Sequence, residues 1–300
     1  MSDAKPRILV TGASGLLGGV ICRQATENWS VTGVCHRHQV TAPGVTPVRV
    51  DLTDGVKVQG LMADRKPHAV IHAAAMAQLP MCERDPRTSE AVNVRVPETL
   101  ASLCAQRGIP FVFTSTDLVF DGLHAPYDEE RPATPVCVYG RHKAQAEKAV
   151  LENHPGALVA RLPLMVGFSD DAPPTFTLQM LRSICQGRPV KLFVDEFRTP
   201  VDIQSAARGL LHLLGRARGI LHLGGRRRLS RYDLGLMMAA RLEMAPTMLE
   251  PVKIRSLALD VARSPDCSLD SSKAYGLGYD PASLEDAIQR IVEQFKASYI

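Results

Sequence analysis

The chain has 300 residues, of which 45% are hydrophobic and 22% are charged, and its formal net charge is +4 at pH 7. This composition is typical of globular proteins and excludes a disordered chain, while the modest charge and the lack of a dense basic face argue against nucleic acid as a partner. No apolar run approaches the roughly 18 residues that cross a bilayer, so we expect neither a membrane span nor a membrane partner.

The N-terminus leads directly into the first predicted strand. Residues 1–7 leave no room for a signal peptide before the apolar run that starts at Ile8, so we expect a cytoplasmic protein. The seven cysteines are scattered and never spaced as Cys-x-x-Cys, which predicts reduced thiols, no disulfide framework and no metal site. They are Cys22, Cys35, Cys82, Cys104, Cys137, Cys185 and Cys267.

The first half of the chain alternates short β-branched runs with longer amphipathic stretches. This alternation predicts an α/β protein with a Rossmann-type, doubly wound parallel sheet. The predicted strands are 7–11, 30–35, 46–50, 69–73, 111–115 and 157–162, and the predicted helices are 16–28, 54–64, 87–107 and 139–153. Ligands bind such sheets beyond the carboxyl ends of the strands, so motifs at those positions carry weight.

The regular alternation of predicted strands and helices ends after residue 163. A Pro-rich break at 170–174 precedes a helix at 175–187 and a strand at 190–194, residues 203–224 again read as helix then strand, and a last helix fits 284–297. We therefore predict a Rossmann domain over residues 1–166, rejoined by about 200–224. A smaller, interleaved C-terminal substrate domain is predicted from residues 167–199 and 225–300.

A run of positive charge lies in this second part, at Arg226–Arg228 with Arg231 close behind. Two interpretations stay open. The arginines form a solvated surface, or some of them attract an anionic substrate such as a nucleotide diphosphate, because clustered positive charge near a cleft concentrates anions.

A glycine-rich turn follows the first strand and opens the first helix. Gly12, Gly15 and Gly18 give the spacing Gly-x-x-Gly-x-x-Gly. Such glycines permit a tight turn, a close approach of the backbone to a pyrophosphate, and close packing of helix on strand, while the helix N-terminus offers N–H donors to the phosphates. The turn predicts a dinucleotide site formed by Gly12, Ser14, Gly15, Leu16, Leu17 and Gly18, and it makes residues 1–166 the cofactor-binding domain.

The second strand indicates which dinucleotide binds. NAD sites usually carry an acid there for the adenosine ribose, whereas this strand ends in His36-Arg37-His38. A guanidinium holds a phosphate through paired hydrogen bonds, so we predict NADP(H), with His36 and Arg37 at its 2′-phosphate. Further cofactor contacts are predicted at the ends of strands three and four. They are Asp51 and Leu52 beside the adenine, and Ala73, Ala74 and Ala75 beside the ribose and nicotinamide.

Tyr139 and Lys143 stand at i and i+4, which places a phenol and an ammonium on one helix face. A phenol with a reference pKa of about 10 is a poor acid-base group near neutral pH, and a nearby cation favours its ionised form. The pair can pass a proton to a carbonyl oxygen. A third hydrogen-bonding group is expected from the strand end at 114–117, whose hydroxyls lie close to the same site.

These motifs resemble those of an extended short-chain dehydrogenase/reductase. The segment 115–122 is similar to that of the dTDP-4-dehydrorhamnose reductase family, as are Cys82-Glu83, Val92-Asn93, the acidic stretch 127–130 and Arg161-Leu162-Pro163. The resemblance implies that Thr116, Tyr139 and Lys143 are catalytic and that Lys143 also holds the nicotinamide ribose. It further implies that Asn93 belongs to the cofactor site and supports Lys143 indirectly, through backbone and water, and that Pro163 contacts the cofactor. Ser115, Asp117 and Arg198 are predicted on the substrate side, with an ion-pair or packing role as the alternative for Arg198.

Two positions depart from the family pattern. The family usually has Tyr where Leu118 stands, and an aromatic residue where Met76 stands. Both positions belong to the predicted substrate side of the cleft, so the identity of the sugar stays open.

Three functions are compatible with this reading. The first is NADPH-dependent reduction of the 4-keto group of a nucleotide-linked deoxysugar. The second is a non-catalytic NADP-binding subunit of a partner enzyme, since the chain also resembles the regulatory β subunit of methionine adenosyltransferase. The third is a nucleotide-sugar epimerase or dehydratase, against which stand the basic end of the second strand and the single carboxylate beside Thr116. Whether the chain forms a homodimer is left open.

Overall fold

The computed structural model describes residues 5–169 and 172–299. Residues 1–4 of the predicted N-terminal segment, and Asp170 and Asp171 of the predicted Pro-rich break, lie outside the described residues. Within these two ranges, no helix is both long enough and apolar enough to cross a membrane. All seven cysteines are free thiols, and six of them are buried.

The central layer is a seven-stranded parallel sheet with the strand order β11-β6-β5-β4-β1-β2-β3. The inner strands β1, β4, β5 and β6 are buried along nearly their whole length, because helices cover both faces of a doubly wound sheet. The strands are β1 (Arg7–Thr11), β2 (Ser30–Cys35), β3 (Val45–Arg49), β4 (Ala69–His72), β5 (Phe111–Thr116), β6 (Leu158–Leu162), β7 (Met165–Val166), β8 (Val190–Phe193), β9 (Phe197–Arg198), β10 (Val201–Asp202), β11 (Gly219–His222), β12 (Leu229–Ser230) and β13 (Leu249–Val252).

Two apolar cores sandwich this sheet. One contains α1 and α8, and the other contains α2, α5 and α6. The α-helices are α1 (Leu16–Ala25), α2 (Gly55–Arg65), α3 (Leu79–Arg84), α4 (Pro86–Glu90), α5 (Val96–Ala105), α6 (Val138–Asn153), α7 (Phe176–Cys185), α8 (Ile203–Leu213), α9 (Arg231–Arg241), α10 (Ser272–Gly276) and α11 (Leu284–Tyr299). Single turns of 3₁₀ helix occupy Asp117–Val119, Pro246–Met248 and Ile254–Ser256.

A third core lies in the C-terminal part of the chain, between α7, α9 and α11. Strands β8 and β13 pair beside it, and β9 pairs with β12. Between the segments that build this smaller lobe, β11 returns to the large sheet and pairs with β6. The lobe meets the large sheet at the carboxyl end of β5, where Asp117 in the turn after β5 pairs with Arg198 on β9.

The predicted strands of the large sheet all form, with boundaries within one residue of those expected. The single helix predicted over 87–107 is wrong. The chain there forms α4, a π-helical turn at Ala91–Arg95, and α5. Pro97 has no N–H and cannot bond the carbonyl four residues back, so the ladder widens to Val96 N–H on the carbonyl of Ala91. Helix α3 was not predicted.

Candidate active site

The glycine-rich turn brings three segments into van der Waals contact. Gly12 has φ +70°, and a Cβ on it would lie 2.7 Å from the backbone nitrogen of Ala74. A Cβ on Gly18 would overlap the carbonyl oxygen of Gly12. Only glycine satisfies both positions, so α1 packs directly on the end of β1 and on the loop after β4.

The N-terminus of α1 is built to receive an anion. Gly15 is its N-cap, its amide donates to the carbonyl of Gly12 at 2.8 Å, and no side chain caps the first turn. The backbone N–H groups of that turn carry the positive end of the helix dipole. Ser14 and Leu16 flank the turn half-buried, whereas Leu17 is buried in the core beneath it.

The residues predicted at the adenosine end lie on the surface. His36 and Arg37 are exposed just beyond β2, and Nε2 of His36 lies 4.0 Å from Oδ2 of Asp51. Oδ1 of Asp51 accepts hydrogen bonds from the amide and hydroxyl of Thr53, which lower the pKa of that carboxyl. Both oxygens of Asp51 thus have a neighbour, and Leu52 beside it is half-buried.

The alanines after β4 are tied to β1. The amide of Ala74 donates to Oγ1 of Thr11 at 3.3 Å, and Nδ1 of His72 lies 2.7 Å from the same oxygen. Burial lowers the pKa of His72 to about 3, so the imidazole is neutral at physiological pH. Ala73 and Ala74 are partly buried and Ala75 is exposed, which leaves a small-residue edge beside the glycine turn.

Lys143 is only 1% exposed. Its Nζ donates to the carbonyl oxygen of Thr114 at 2.6 Å and lies 4.0 Å from the centre of the Phe113 ring. Burial lowers the pKa of its ammonium to about 7, against an opposing effect of Glu147 on the next turn of α6. The lysine is therefore anchored on β5, the strand that ends in Thr116.

Tyr139 stands in the first turn of the same helix. Burial raises the pKa of its phenol, and Cys82 and Asp117 act in the same direction. We expected a nearby cation to favour ionisation of the phenol. The structure shows that burial prevails and that the lysine is directed to Thr114, so Tyr139 is protonated at neutral pH and can donate a proton.

The start of α6 is pressed against the turn that follows β5. A Cβ on Gly140 would overlap the carbonyl oxygen of Leu118, and the amide of Val138 donates to the carboxylate of Glu83 at 2.8 Å. This close approach brings the first turn of α6 beside Thr116. The hydroxyl of Thr116 donates to Oδ1 of Asp117 at 3.2 Å.

Asn93 does not contact Lys143 directly. It projects from the π-helical turn, where its side-chain amide both accepts from the amide of Met76 at 2.9 Å and donates to the carbonyl of Met76 at 3.0 Å. It also donates to Ser89, whose hydroxyl lies 2.9 Å from Nδ1 of His142 on α6. Asn93 thus links the loop after β4 to the helix that carries Tyr139 and Lys143.

A cavity of about 160 Å³ opens beside Thr116. Its lining combines an apolar side with a charged side. The apolar side consists of Leu79, Leu118, Pro163, Leu164 and Ala262, and the polar side consists of Thr116, Asp117, Glu196, Arg198, Arg231 and Arg263. Helix α3 and the segments that follow β5 and β6 supply most of the first side, and the smaller lobe supplies most of the second.

Glu196 is the centre of the charged side. Its buried carboxylate lies 3.1 Å from Nη2 of Arg198, 3.1 Å from Nη1 of Arg263 and 3.4 Å from Nε of Arg231. Burial would raise the pKa of Glu196, but the three guanidinium groups outweigh it and lower the pKa. Glu196 is therefore ionised, and cations outnumber anions on this wall.

Ser115 lies away from this cavity. Its hydroxyl donates to Glu147 at 2.5 Å, on the side of β5 where α6 covers the sheet. The residues predicted on the substrate side thus separate, because Asp117 and Arg198 line the cavity and Ser115 does not.

The arginines grouped in the sequence also separate. Arg226, Arg227 and Arg228 pair on the surface with Asp280, Glu285 and Asp266, respectively. Arg231 instead lines the cavity. Glu196 and Arg263 were not predicted, and the only signal for Glu196 was its position next to the segment that contains Arg198.

Comparisons with known proteins find similarity over nearly the whole chain. The sequence profile described as the RmlD substrate binding domain matches residues 6–297. The chain is 32% identical over 293 residues to the probable low-salt glycan biosynthesis reductase Agl14 of Haloferax volcanii, covering 95% of this chain and 97% of that protein. It is 30% identical over 280 residues to the methionine adenosyltransferase 2 subunit beta of Rattus norvegicus, covering 91% and 82%. A crystal structure of a hypothetical dTDP-4-dehydrorhamnose reductase from Sulfolobus tokodaii superposes with a TM-score of 0.81 at 28% identity, covering 90% and 94%.

Proposed function

This chain belongs to the RmlD substrate binding domain family, and on that premise we propose that it is an NADPH-dependent reductase of the 4-keto group of a nucleotide-linked deoxysugar. The observation that carries the proposal is the grouping of Thr116, Tyr139 and Lys143 at the carboxyl end of β5. Thr116 lines a cavity there, and Lys143 is anchored on the same strand.

The glycine turn fits a dinucleotide. The close packing of Gly12 and Gly18 leaves no room for a Cβ, and the uncapped N-terminus of α1 offers N–H donors for a pyrophosphate. In this proposal Arg37, exposed just beyond β2, would hold the 2′-phosphate, and Pro163, which lines the cavity with Thr116, would contact the nicotinamide. When bound, NADPH would supply the hydride that reduces the ketone.

The protein supplies the proton and holds the ketone. In this proposal the Tyr139 phenol, protonated because burial raises its pKa, donates its proton to the carbonyl oxygen as that oxygen gains electrons. The Thr116 hydroxyl, which donates to Asp117 in the structure, would turn to donate its hydrogen bond to the same oxygen. The Lys143 ammonium adds positive charge beneath the site, which favours the tyrosinate that remains.

The charged wall supports an anionic substrate. Three arginines and two carboxylates lie together on this wall, and burial raises the pKa of one of those carboxyls, Asp117. Arg198 is fully engaged, because it pairs with Asp117 and Glu196 and donates to two backbone carbonyls. We therefore assign the anion contact to Arg231 and Arg263, the more accessible of the three.

NADPH oxidation in the presence of dTDP-4-keto-6-deoxy sugars tests the proposal. We expect turnover by the wild type and a loss of at least about a hundredfold in kcat for Tyr139→Phe, since a positioned acid contributes 10²–10⁴-fold. Tyr275→Phe on α10, whose hydroxyl donates to the carbonyl of Gly224 and which does not line the cavity, is the matched control. No turnover over a panel of nucleotide-linked keto-sugars would refute the proposal, provided that NADPH binding shows the protein to be folded.

A second function remains in view because the chain is similar to a methionine adenosyltransferase subunit over most of its length. In that role it would bind NADP and associate with an adenosyltransferase without reducing a substrate. Stable co-purification with a methionine adenosyltransferase from the same organism, combined with NADPH binding and no turnover, would favour this function over the reductase.

A further inference from the structure

A buried carboxylate lies one helical turn beyond Lys143. Glu147 on α6 is 3% exposed. It accepts hydrogen bonds from the Ser115 hydroxyl at 2.5 Å and from Nε and Nη2 of Arg161 at 2.9 and 2.7 Å. Burying such a charge is costly unless hydrogen bonds and an opposite charge compensate, and both are present here.

Arg161 is itself held in one orientation. It lies on β6 with its guanidinium 4.9 Å from the centre of the Phe120 ring, and its Nη1 is 3.3 Å from Nε2 of His222. Nδ1 of His222 faces the backbone carbonyls of Tyr127 and Asp270 at 3.1 Å, so it carries the proton and leaves Nε2 to accept from Arg161. Burial lowers the pKa of this histidine to about 4, which keeps it neutral.

This network adjoins the anchor of Lys143. Ser115 stands on β5 between Thr114, whose carbonyl holds the ammonium, and Thr116. The carboxylate of Glu147 is therefore hydrogen-bonded to β5 at Ser115, the residue between Thr114 and Thr116. The hydrogen bond between Glu147 and Ser115 therefore fixes the position of β5 relative to α6, the helix that carries both Tyr139 and Lys143.

The charge of Lys143 also depends on its surroundings. The elements packed against α6 contribute charged or titratable groups, including Cys82 and Glu83 on α3, Glu90 on α4, Arg95 in the π-helical turn, Glu98 on α5, Asp117 after β5 and Arg161 on β6. His72 on β4 is also close enough for the charge of Lys143 to lower its pKa. Burial disfavours the ammonium, and Glu147 is the neighbour that favours it. His72 is neutral and therefore adds no positive charge beside the ammonium.

We propose that Glu147 is a positioning residue, which is fixed by Ser115 and Arg161 and keeps Lys143 charged and seated on Thr114. The predicted effects of Glu147 on the charge and position of Lys143 do not depend on the proposed reductase function. The consequence for turnover rests on the proposed reductase function.

Nuclear magnetic resonance titration of the protein labelled with ¹³C at lysine Cε tests the proposal without turnover, with the Lys143 signal assigned through Lys143→Met. We expect the midpoint of Lys143 to fall by about one pH unit in Glu147→Gln, since neutralising a nearby opposite charge disfavours the ammonium. Glu152→Gln, an exposed glutamate on the same helix, is the matched control and should leave the midpoint in place. An unchanged midpoint in folded Glu147→Gln would overturn the proposal.

Ser115→Ala is the second variant, because it keeps every charge and tests the network even where Glu147→Gln does not fold. With a keto-sugar substrate we expect kcat to fall about threefold with KM unchanged. A rise in KM alone would make Ser115 a substrate contact, and unchanged kinetics would make the network dispensable, so either result contradicts the proposal. A wild type that turns over no substrate while its Lys143 midpoint shifts in Glu147→Gln would refute the reductase function and leave the positioning role intact.

Discussion

Nε of Arg198 lies 3.1 Å from Oδ2 of Asp117, and both side chains are almost fully buried. The pair joins the turn after β5 to strand β9 of the smaller lobe and closes the cavity between them. Arg198 was predicted as either an anion contact or an ion-pair residue. The structure shows Arg198 in ion pairs with Asp117 and Glu196, and we propose that its neighbours recognise the anionic substrate.

Replacing Arg263 should therefore weaken substrate binding more than the chemical step. Arg263 pairs with Glu196 but remains 32% exposed at the cavity. We expect Arg263→Gln to raise KM for the nucleotide-linked keto-sugar about tenfold, equivalent to about 1.4 kcal/mol, with kcat within about twofold of wild type. Steady-state kinetics measure both constants. Arg226→Gln, which removes a surface pair with Asp280, is the control, and equal KM values in the two variants would contradict the assignment.

Gly18→Ala should damage both the fold and the cofactor site. The new Cβ would overlap the carbonyl of Gly12, so α1 must move away from the end of β1. We expect a loss of about 1–3 kcal/mol in the free energy of unfolding from overpacking, together with NADPH binding at least about tenfold weaker. Gly60→Ala is the control, because a Cβ there meets nothing within 4 Å in the middle of α2. Chemical denaturation measures the free energy of unfolding, and fluorescence titration measures the dissociation constant of NADPH. Wild-type values for Gly18→Ala would show that the turn can relax.

The strands of the large sheet could be predicted because their apolar, β-branched runs are short and separated by turn residues. The second strand was predicted at 30–35 and forms at Ser30–Cys35. The helix over 87–107 could not be divided from its pattern alone, because the π-helical turn depends on Pro97 together with the bonds of Asn93 to Met76.

The charged wall of the cavity could not be predicted from the sequence, for a different reason. Glu196, Arg231 and Arg263 come from three segments separated by more than thirty residues each, and no spacing rule connects them. Their clustering results from the way the smaller lobe folds over the sheet. In a local motif, by contrast, the spacing in the sequence determines the relative positions of the residues, as it does for Tyr139 and Lys143 on one helix.

Arg37 should determine the preference between the two nicotinamide dinucleotides. It is exposed just beyond β2, and charge-assisted hydrogen bonds to a phosphate contribute about 1.5–3 kcal/mol. We expect Arg37→Ala to weaken NADPH binding at least about tenfold and to leave NADH binding unchanged. Arg218→Ala, at the opposite edge of the sheet before β11, is the control. Calorimetric titration with NADPH and with NADH measures both dissociation constants. An unchanged NADPH dissociation constant for Arg37→Ala would exclude Arg37 as the residue that selects NADPH.

The buried lysine should make stability depend on pH in one direction. Burial lowers the pKa of Lys143 to about 7 in the folded protein, below its ordinary value of 10.5. Between these values the unfolded chain binds more protons than the folded protein, so the stability penalty of Lys143 is full below pH 7 and disappears as the pH rises toward 10.5. Lys143→Met should therefore unfold with a larger free energy than wild type at pH 7, and the difference should shrink by pH 10. Urea denaturation at pH 7, 8.5 and 10 measures it, since the other titrating groups are common to both proteins. A difference that stays constant over this range would mean that Lys143 keeps an ordinary pKa in the folded state.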